Sequence, residues 1–266
     1  MRLATWNVNS LSARLERVLA WLGSAQPDVF CMQETKVTDE AVPSLAFREL
    51  GYDVAHHGLG RWNGVGIASR VGIDDVTAGL GPAPDGWTDD GGRFIAATCA
   101  GIRVMSVYVP NGRVVGSEFY AAKLAWLDRL NEWVATNCDL GDELALCGDF
   151  NVAPTDDDVW DAEAAHGATH VSPAERERVA RLRAWGLVDV VRRFHPEPGF
   201  YTWWDYRAGH FHKNFGMRID HVYATPPLAA RAVAAERDRE ARKPKSFPGI
   251  PSDHAPLYVD LADAGG

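Results

Sequence analysis

Short apolar runs and stretches with helical apolar spacing alternate along the chain from its first residues. Residues 2–8 alternate as a strand does, and the apolar positions from Leu11 to Leu22 follow helical spacing. Gly23 and Pro27 end that helix, and residues 28–33 form an apolar run typical of a buried strand. This opening predicts a β-α-β unit with polar residues at both strand ends.

The same patterns predict the remaining elements. Gly-rich turns separate several short strands in the first half, and a hairpin turns at Ala100 and Gly101. Strands are predicted over 52–57, 64–69, 71–76, 93–99, 102–109, 144–147, 217–224 and 257–261, and helices over 38–50, 117–136 and 173–185. Neither a linker nor a change in composition interrupts the order, so we expect a single domain over 1–266.

Capping residues define the helix starts. Thr38 and Ser117 are N-cap candidates, and Ser172 with Glu175 forms a capping box with Pro173 at the first helical position. Helical spacing over 117–136 predicts a buried stripe of Tyr120, Leu124, Leu127, Leu130 and Val134, and an outer face of Lys123, Asp128, Arg129 and Glu132. The acidic segment 155–163 is expected to lie on the surface.

Composition narrows the class of protein. Hydrophobic residues make up 46% of the 266 positions, enough for a sizeable core, and none of the apolar runs approaches the ~18 residues of a membrane span. The first residues enter a strand pattern without the apolar region of a signal peptide. Cys31, Cys99, Cys138 and Cys147 lack metal-site spacing and are expected to be free thiols, mostly buried, in a reducing cytosol.

The net charge is −9, which taken globally argues against a nucleic-acid partner. A site for a divalent metal also adds acidic residues to this count, and local patches decide binding more than the sum does. The sequence contains no P-loop, HExxH or GxSxG motif, and the glycines of 58–64 lack dinucleotide-binding spacing.

Chemistry is concentrated where an apolar strand ends in Asp149 and Asn151. These residues are two apart, so on an extended backbone their side chains leave from the same face. A carboxylate beside an amide at a strand end can hold a hard cation, or a water and a phosphoryl oxygen. The plain alternative is a turn cap, which this residue pattern forms often.

Similar polar residues end other predicted strands. For Glu34 the alternative is a solvated loop residue, for Tyr108 half-buried packing, and for Asp220 a structural ion pair. Asp253 and His254 lie between prolines as a rigidly held acid–imidazole pair. The full set is Asn7, Glu34, Tyr108, Asp149, Asn151, Asp220, Asp253 and His254. It is rich in oxygen ligands and contains no thiolate, which favours Mg²⁺ or Mn²⁺ over Zn²⁺.

Residues 200–220 mix aromatic side chains with Arg207, Lys213, Arg218 and two histidines. Aromatics interleaved with cations on a loop suit base stacking and phosphate contacts. The alternative is a core hairpin with a polar tip. The pair His210 and His212 lacks the further ligands that a zinc site needs.

Seven motifs occur in order: TWNVNSL, QETK, GVGIASR, YVPNG, GDFNVAP, the YTWWDY to NFGMRID block, and PSDHAP. Together they resemble the exonuclease III family of apurinic/apyrimidinic endonucleases, within the endonuclease/exonuclease/phosphatase superfamily. The resemblance runs from Arg2 to Leu261. It implies an α/β fold, a four-layer sandwich of two packed mixed β-sheets flanked by helices.

The resemblance also implies roles. Glu34 is implied as the principal metal ligand and Asp149 as the residue that orients or deprotonates the attacking water. Tyr108, Asn151 and His254 are implied at the phosphate, with Tyr108 as phenol or phenolate and His254 oriented by Asp220. The implied metal set is Asn7, Glu34, Asp149, Asn151, Asp253 and His254, for Mg²⁺ with Mn²⁺ as a substitute. Whether one or two metals act, and whether Asp149 is base, ligand or both, stays open.

Specificity is implied for the aromatic block. Trp203, Met217 and Ile219 would line a small apolar pocket for an extrahelical abasic deoxyribose. The implied DNA-binding set is Asn111, Arg113, Trp203, Arg207, Lys213, Asn214, Met217 and Ile219.

The implied activity is Mg²⁺-dependent DNA-repair cleavage 5′ to abasic sites, with 3′→5′ exodeoxyribonuclease and 3′-phosphatase or phosphodiesterase activity in an open balance. The expected substrate is double-stranded DNA with abasic sites or blocked 3′ ends. The chain is expected to be a monomer in a bacterial-type cytosol or nucleoid, without a membrane partner. The alternatives are a superfamily phosphatase acting on inositol phosphates or phospholipids, and a non-catalytic DNA-binding relative.

Overall fold

The computed structural model of the protein describes residues 1–82 and 91–263. The described strands form two six-stranded sheets, in the orders β11-β12-β1-β2-β4-β3 and β5-β6-β7-β8-β10-β9. The strands are β1 (Arg2–Asn7), β2 (Val29–Gln33), β3 (Asp53–His57), β4 (Val65–Ser69), β5 (Asp74–Ala78), β6 (Phe94–Cys99), β7 (Ile102–Tyr108), β8 (Leu144–Asp149), β9 (Val188–Asp189), β10 (Asp220–Ala224), β11 (Ala232–Arg237) and β12 (Leu257–Leu261). The α-helices are α1 (Leu11–Ala25), α2 (Ser44–Glu49), α3 (Glu118–Asn137), α4 (Ala162–Ala165), α5 (Pro173–Trp185), α6 (Val190–Phe194), α7 (His210–Lys213) and α8 (Pro226–Arg231).

Both sheets are mixed. The pairs β1–β2 and β7–β8 are parallel, whereas β2–β4 and β8–β10 are antiparallel. One apolar cluster lies between the sheets and includes Val29 and Cys31 from the first and Val104 and Cys147 from the second. This shared core packs the sheets face to face.

Helices cover the outer faces of both sheets. Trp21 of α1 packs with Phe30 of the first sheet, while Leu127 of α3 and Leu182 of α5 join the apolar cluster on the outer face of the second sheet. The predicted four-layer α/β sandwich is therefore confirmed. Within the described residues, none of the helices combines the length and apolarity needed to cross a membrane.

Some element boundaries differ from the predictions. The helix expected over 38–50 is a 3-10 turn, Asp39–Ala41, followed by α2. Pro43 accounts for the break, because proline holds the preceding Val42 in an extended conformation, with φ −64° and ψ 129°. The strand expected over 71–76 lies at Asp74–Ala78, β10 begins only at Asp220, and β11 was not predicted.

The helix caps at Ser117 and Ser172 are confirmed, the latter as a full capping box. However, Lys123 is wholly buried although it was assigned to the outer face, and Leu124 is only half-buried. The cysteines are free, and Cys138 is half-buried while the other three are buried.

The acidic segment 155–163 is not only surface. Asp158 is buried and accepts hydrogen bonds from Arg218 and Arg192. Arg218, expected among the cations of a binding loop, is also buried and pairs with Asp189 at 2.9 Å. Ion pairing explains both corrections, because a buried charge is tolerated when an opposite charge compensates it.

Candidate active site

The predicted site residues meet at one edge of the sandwich. Asn7 and Tyr108 end β1 and β7, and Glu34 directly follows β2. Asp149 ends β8, where it is paired in register with both Tyr108 and Asp220. Because parallel strands of both sheets end here, the fold places these side chains at the junction between the sheets.

Asn7 connects the two sheets at this junction. Its Nδ2 donates to Oε1 of Glu34 at 2.8 Å and to Oδ2 of Asp149 at 2.9 Å. Its Oδ1 accepts from the backbone N–H of Asn9 at 2.9 Å. In this orientation Asn7 positions the two carboxylates, and its role as a metal ligand stays a prediction.

His254 lies between two buried carboxylates. Its Nδ1 is 2.8 Å from Oδ2 of Asp220, and its Nε2 is 3.7 Å from Oδ2 of Asp149. Burial on its own lowers the pKa of His254, but the negative charges of Asp220 and Asp149 outweigh burial and raise this pKa to about 10. The imidazolium is therefore the stable form at neutral pH.

Asp149 and Tyr108 are electrostatically unusual as well. Burial raises the pKa of Asp149 to about 7, where the positive charge of His254 opposes the shift and the negative charge of Asp220 adds to it. Burial, with the nearby charges of Glu34 and Asp149, also raises the pKa of Tyr108 well above its ordinary value. Of the two forms considered for Tyr108, the structure therefore favours the neutral phenol.

Asn151 is held by hydrogen bonds of both its backbone and its side chain. Its N–H donates to Oδ1 of Asp149 at 2.8 Å, and its Nδ2 donates to the carbonyl of Val109 at 2.9 Å. Asn111 Nδ2 donates to Oδ1 of Asn151 at 3.2 Å. Asn151 adopts a left-handed φ of 50°, which asparagine tolerates better than most residues. The pair Asp149 and Asn151 is thus a structured loop of the site as well as a turn.

The donors at this junction fit a hard divalent cation. One oxygen each of Asp149 and Asp220 and a ring nitrogen of His254 lie within 4.8 Å of one another, and the two carboxylates offer the lone pairs for a cation while His254 stays protonated. Oδ1 of Asp220 is buried and has no hydrogen-bond partner among the residues that the structure describes, which leaves a negatively charged acceptor unsatisfied there. Carboxylate oxygens crowded in a buried site, with the pKa of Asp149 already raised, would be stabilised by a cation of the Mg²⁺ type.

Asp253 lies behind His254. Its Oδ1 accepts from Asn9 Nδ2 and its Oδ2 from Trp203 Nε1, both at 3.0 Å. Burial raises the pKa of Asp253, but His254 and these hydrogen bonds outweigh it, so the net pKa is lowered and the carboxylate is charged. Asp253 therefore fixes the Trp203 ring, and its role as a metal ligand stays a prediction.

The structure brings the three predicted pocket residues together. Trp203, Met217 and Ile219 belong to one apolar cluster, and Trp203 forms isolated β-bridges to Met217 and His254. The aromatic block therefore adjoins the catalytic histidine candidate. Whether this cluster opens as a sugar pocket stays a prediction.

The other predicted DNA contacts are spread more widely. Arg207 is exposed and pairs with Asp205, and Lys213 lies 5.7 Å from the centre of the Phe215 ring. Asn214 accepts hydrogen bonds from Trp204 and Arg239 through its Oδ1, so this oxygen already serves the fold.

Arg113 stacks on exposed Phe119 at 3.6 Å on the opposite side of the site. There a cleft of 590 Å³ is lined by Arg113 and Asn111 together with Glu34 and Tyr108. Exposed Trp62 also lines this cleft and was not predicted as a site residue.

Two further neighbours of the site were missed in the sequence. Lys36 Nζ contacts Oε2 of Glu34 at 2.8 Å and Oδ1 of Asn9 at 2.7 Å, and Ser252 Oγ donates to the carbonyl of Asn7. Lys36 and Ser252 fall inside the QETK and PSDHAP motifs, so their proximity to Glu34 and Asp253 was an available signal.

Two mixed sheets with carboxylates, amides and a charged imidazole at their junction are the framework of a phosphoester hydrolase. The sequence profile of the endonuclease/exonuclease/phosphatase family matches residues 4–254, and the chain belongs to that family.

Individual relatives narrow this class to nucleases. The chain is 30% identical to exodeoxyribonuclease III of Haemophilus influenzae over 98% of this chain and 100% of that protein. The structure of an AP endonuclease from Archaeoglobus fulgidus matches with a TM-score of 0.92 and 38% identity, over 98% of this chain and 99% of that chain. The structure of a 3′ phosphatase from Neisseria bound to a product DNA hairpin matches with a TM-score of 0.91 and 39% identity, again over 98% of this chain and 99% of that chain. The chain is accordingly a phosphodiester hydrolase, a nuclease of DNA repair.

Proposed function

We propose that the protein uses Mg²⁺, with Mn²⁺ as a substitute, to cleave double-stranded DNA 5′ to abasic sites and to remove nucleotides or blocking groups from 3′ ends. The observation that carries the proposal is the arrangement of Asp149, Asp220 and His254 around one buried point, with Asn7 joining Asp149 to Glu34. Phosphodiester hydrolysis requires an activated water, neutralised phosphoryl oxygens and a stabilised leaving oxygen, and this set offers a group for each.

In this proposal Glu34, Asn7 and Asp149 hold the cation, with Asn151 and Asp253 as further members of the set. His254 was also predicted as a ligand, but as an imidazolium it has no free lone pair for a metal, so we assign it to the phosphate alone. When bound, Mg²⁺ supplies Lewis-acid neutralisation of the phosphate charge. Asp149 orients the attacking water and accepts its proton, a role that a buried carboxylate beside the phosphate can serve. Its Oδ2 faces Nε2 of His254, so water and phosphate would be bound side by side.

The remaining site residues bind the phosphate. The His254 imidazolium donates through Nε2, because Asp220 occupies Nδ1. The neutral phenol of Tyr108 and the Asn151 amide contribute further hydrogen bonds. Donors that are already fixed by the protein stabilise developing charge without having to reorganise during the reaction.

Residues on both sides of this centre would bind DNA. Trp203, Met217 and Ile219 would accept the base-free sugar on the His254 side. Asn111 and Arg113 line the cleft on the Tyr108 side. Arg207, Lys213 and Asn214 would contact the strand beyond the aromatic cluster. This distribution would answer the charge argument, because the proposed DNA-binding residues include three cations while Asp156 and Asp157 lie on an exposed turn.

The test uses three duplexes that differ in one feature: an internal tetrahydrofuran abasic analogue, a 3′-phosphate, and an undamaged recessed 3′ end. We expect Mg²⁺-dependent cleavage immediately 5′ to the analogue, abolished by EDTA and reduced at least ~10²-fold by Asp149→Asn. An Arg178→Met variant is the folded control, since this residue pairs with Asp128 on the outer helices.

The three rates also rank the activities. The AP endonuclease and the 3′ phosphatase have nearly equal identity to this chain, 38% and 39%, so identity does not choose between them. An intact abasic strand together with hydrolysis of inositol phosphate would overturn the proposal. Tight DNA binding without any cleavage in Mg²⁺ would favour the non-catalytic alternative. We also propose a monomer, which light scattering on the eluting protein would check.

A further inference from the structure

A buried pair of charges lies beneath the site and takes no part in the mechanism above. Lys123 of α3 and Glu175 of α5 are both wholly buried, and Lys123 Nζ donates to Oε1 of Glu175. Burying two charges is costly in desolvation, and a pair of apolar residues would join two helices at lower cost. The contacts of the pair show what else it does.

Lys123 reaches two loops of the site. Its Nζ donates to the backbone carbonyl of Asn151 at 2.6 Å and to that of Asn111 at 3.3 Å. With Glu175 as the third acceptor, all three ammonium N–H groups are used. The two carbonyls belong to the loops that follow β8 and β7, so one buried cation connects the loops that carry both asparagines.

Glu175 connects the same carbonyls by a second route. Its Oε1 accepts from the N–H of His170 at 3.0 Å and lies 3.2 Å from Oγ1 of Thr169. His170 Nδ1 donates to the Asn151 carbonyl at 2.6 Å, and Thr169 Oγ1 lies 3.1 Å from the Asn111 carbonyl. The lysine and the segment that Glu175 holds therefore converge on the same two backbone oxygens.

The conformation of Asn151 explains why these donors matter. Its left-handed backbone, with φ 50°, directs the carbonyl into the protein while the side chain contacts Asn111 and Val109 at the site. A buried carbonyl that lost its donors would be unsatisfied, and the loop would move to recover hydrogen bonds. Such a shift would carry the amide of Asn151 away from the phosphate.

We propose that Lys123 and Glu175 are positioning residues for the hydrolysis, which fix the amides of Asn151 and Asn111 against the scissile phosphate. The inference rests on the phosphate-binding role proposed for Asn151. Misplacement of a reacting group by about 1 Å can cost ~10²-fold in rate, so the effect on catalysis is expected to be large.

The test is the double variant Lys123→Met with Glu175→Gln, which removes both charges and leaves neither unpaired. Arg178→Met is the matched control, because Arg178 also joins α5 to α3, through Asp128 at 2.9 Å, but contacts neither loop. On the fastest of the three duplexes we expect kcat to fall about 10²-fold in the double variant with KM within about 3-fold, and kcat to be unchanged in the control.

Two further measurements separate positioning from general stability. Hydrogen exchange should accelerate in peptides covering 108–113 and 148–153 of the double variant and not in the control. The single variant Lys123→Arg keeps a buried cationic donor, so its kcat should be closer to that of the parent than to that of the double variant. A folded double variant with kcat within about 3-fold of the parent would overturn the proposal, as would an equal kcat loss in the control.

Asn151→Ala distinguishes the two levels of inference. If the parent protein cleaves DNA and this variant has the same kcat, then Asn151 does not bind the phosphate, and the positioning role that rests on it is lost as well. If it is slow and the double variant is not, only the positioning role fails. If the double variant does not fold, Thr169→Val gives the decision, because it removes one hydroxyl near the Asn111 carbonyl and Glu175. A reduced kcat at unchanged KM supports the proposal, and an unchanged kcat overturns it.

Discussion

The pairing of His254 with Asp220 gives the sharpest test of the site. We consider Asp220→Asn, which keeps the size of the side chain and removes its charge. In the parent protein, Oδ2 of Asp220 lies 2.8 Å from Nδ1 of His254, and both side chains are almost wholly buried. The amide cannot stabilise an imidazolium as a carboxylate does, so the charge of His254 becomes the quantity under test.

The magnitude follows from the pKa of His254. The rise from 6.5 to about 10 corresponds to about 5 kcal/mol in favour of the imidazolium. Asp220 and Asp149 supply most of this against the cost of burial, and Asp220 contributes more. If Asp220 supplies about half, the alkaline limit of imidazolium-dependent activity moves down by about two pH units in the variant.

The sign of the effect is set by the raised pKa. In the parent, His254 keeps its proton from below pH 6.5 up to about 10, and the ion pair is lost only as the pH rises through that value. In the variant this loss begins nearer neutrality. With a pKa near 8, about half of the variant's His254 is protonated at pH 8 and about a tenth at pH 9, so we expect the imidazolium-dependent rate to fall about 2-fold at pH 8 and about 10-fold at pH 9, with little loss at pH 6.

The assay is single-turnover cleavage of the preferred duplex between pH 5.5 and 10 at saturating Mg²⁺, with substrate binding measured separately in EDTA. An alkaline limb that stays where the parent has it, or a deficit that is constant with pH, would refute the imidazolium argument. Asp205→Asn is a matched control, since Asp205 pairs with exposed Arg207 away from His254. Its pH profile should match that of the parent.

Three further predictions concern the metal, the pocket and the fold. Asn7→Ala should raise the Mg²⁺ concentration that gives half the maximal rate about 10- to 100-fold, because Asn7 orients two carboxylates. An unchanged Mg²⁺ titration would contradict this. Trp203→Ala should impair abasic cleavage more than 3′-phosphate removal, and equal losses would count against the sugar pocket. Asp158→Asn should destabilise the protein by about 1.5–3 kcal/mol in urea unfolding, because it removes one of the two carboxylates that compensate the buried charge of Arg218. Asp156→Asn, on an exposed pair, should cost under about 1 kcal/mol, and similar losses in both variants would contradict the burial argument.

The sequence predicted those parts of the site that depend on strand periodicity. Asp149 and Tyr108 end strands whose apolar runs are plain in the sequence, and neighbouring parallel strands bring their ends together. The same logic placed Glu34 and Asn7. The meeting of these side chains could therefore be predicted from local apolar patterns and from one rule, that neighbouring parallel strands end at the same edge of a sheet.

Partners distant in the chain could not be predicted in this way. Lys123 has helical neighbours typical of an outer face, and the charge that compensates it in the interior is that of Glu175, 52 residues further on. Asp158 is part of an acidic segment whose composition is typical of an exposed loop, and its partner Arg218 lies 60 residues away in the sequence. Periodicity reports the average environment of a segment, and it carries no information on which charge will meet its opposite.

The junction between the two sheets has a consequence for evolution and engineering. Asn7 ends a strand of one sheet and Glu34 follows the neighbouring strand, whereas Asp149 and Tyr108 end strands of the other sheet. The distances between these proposed site residues therefore depend on the spacing of the two sheets. A substitution at Cys31 or Cys147, in the middle of that interior, would change the gap across which Asn7 reaches Asp149. The rate of the reaction should therefore be sensitive to the spacing between the two sheets. In variants with a loosened core, we expect the rate to fall before the circular dichroism spectrum changes.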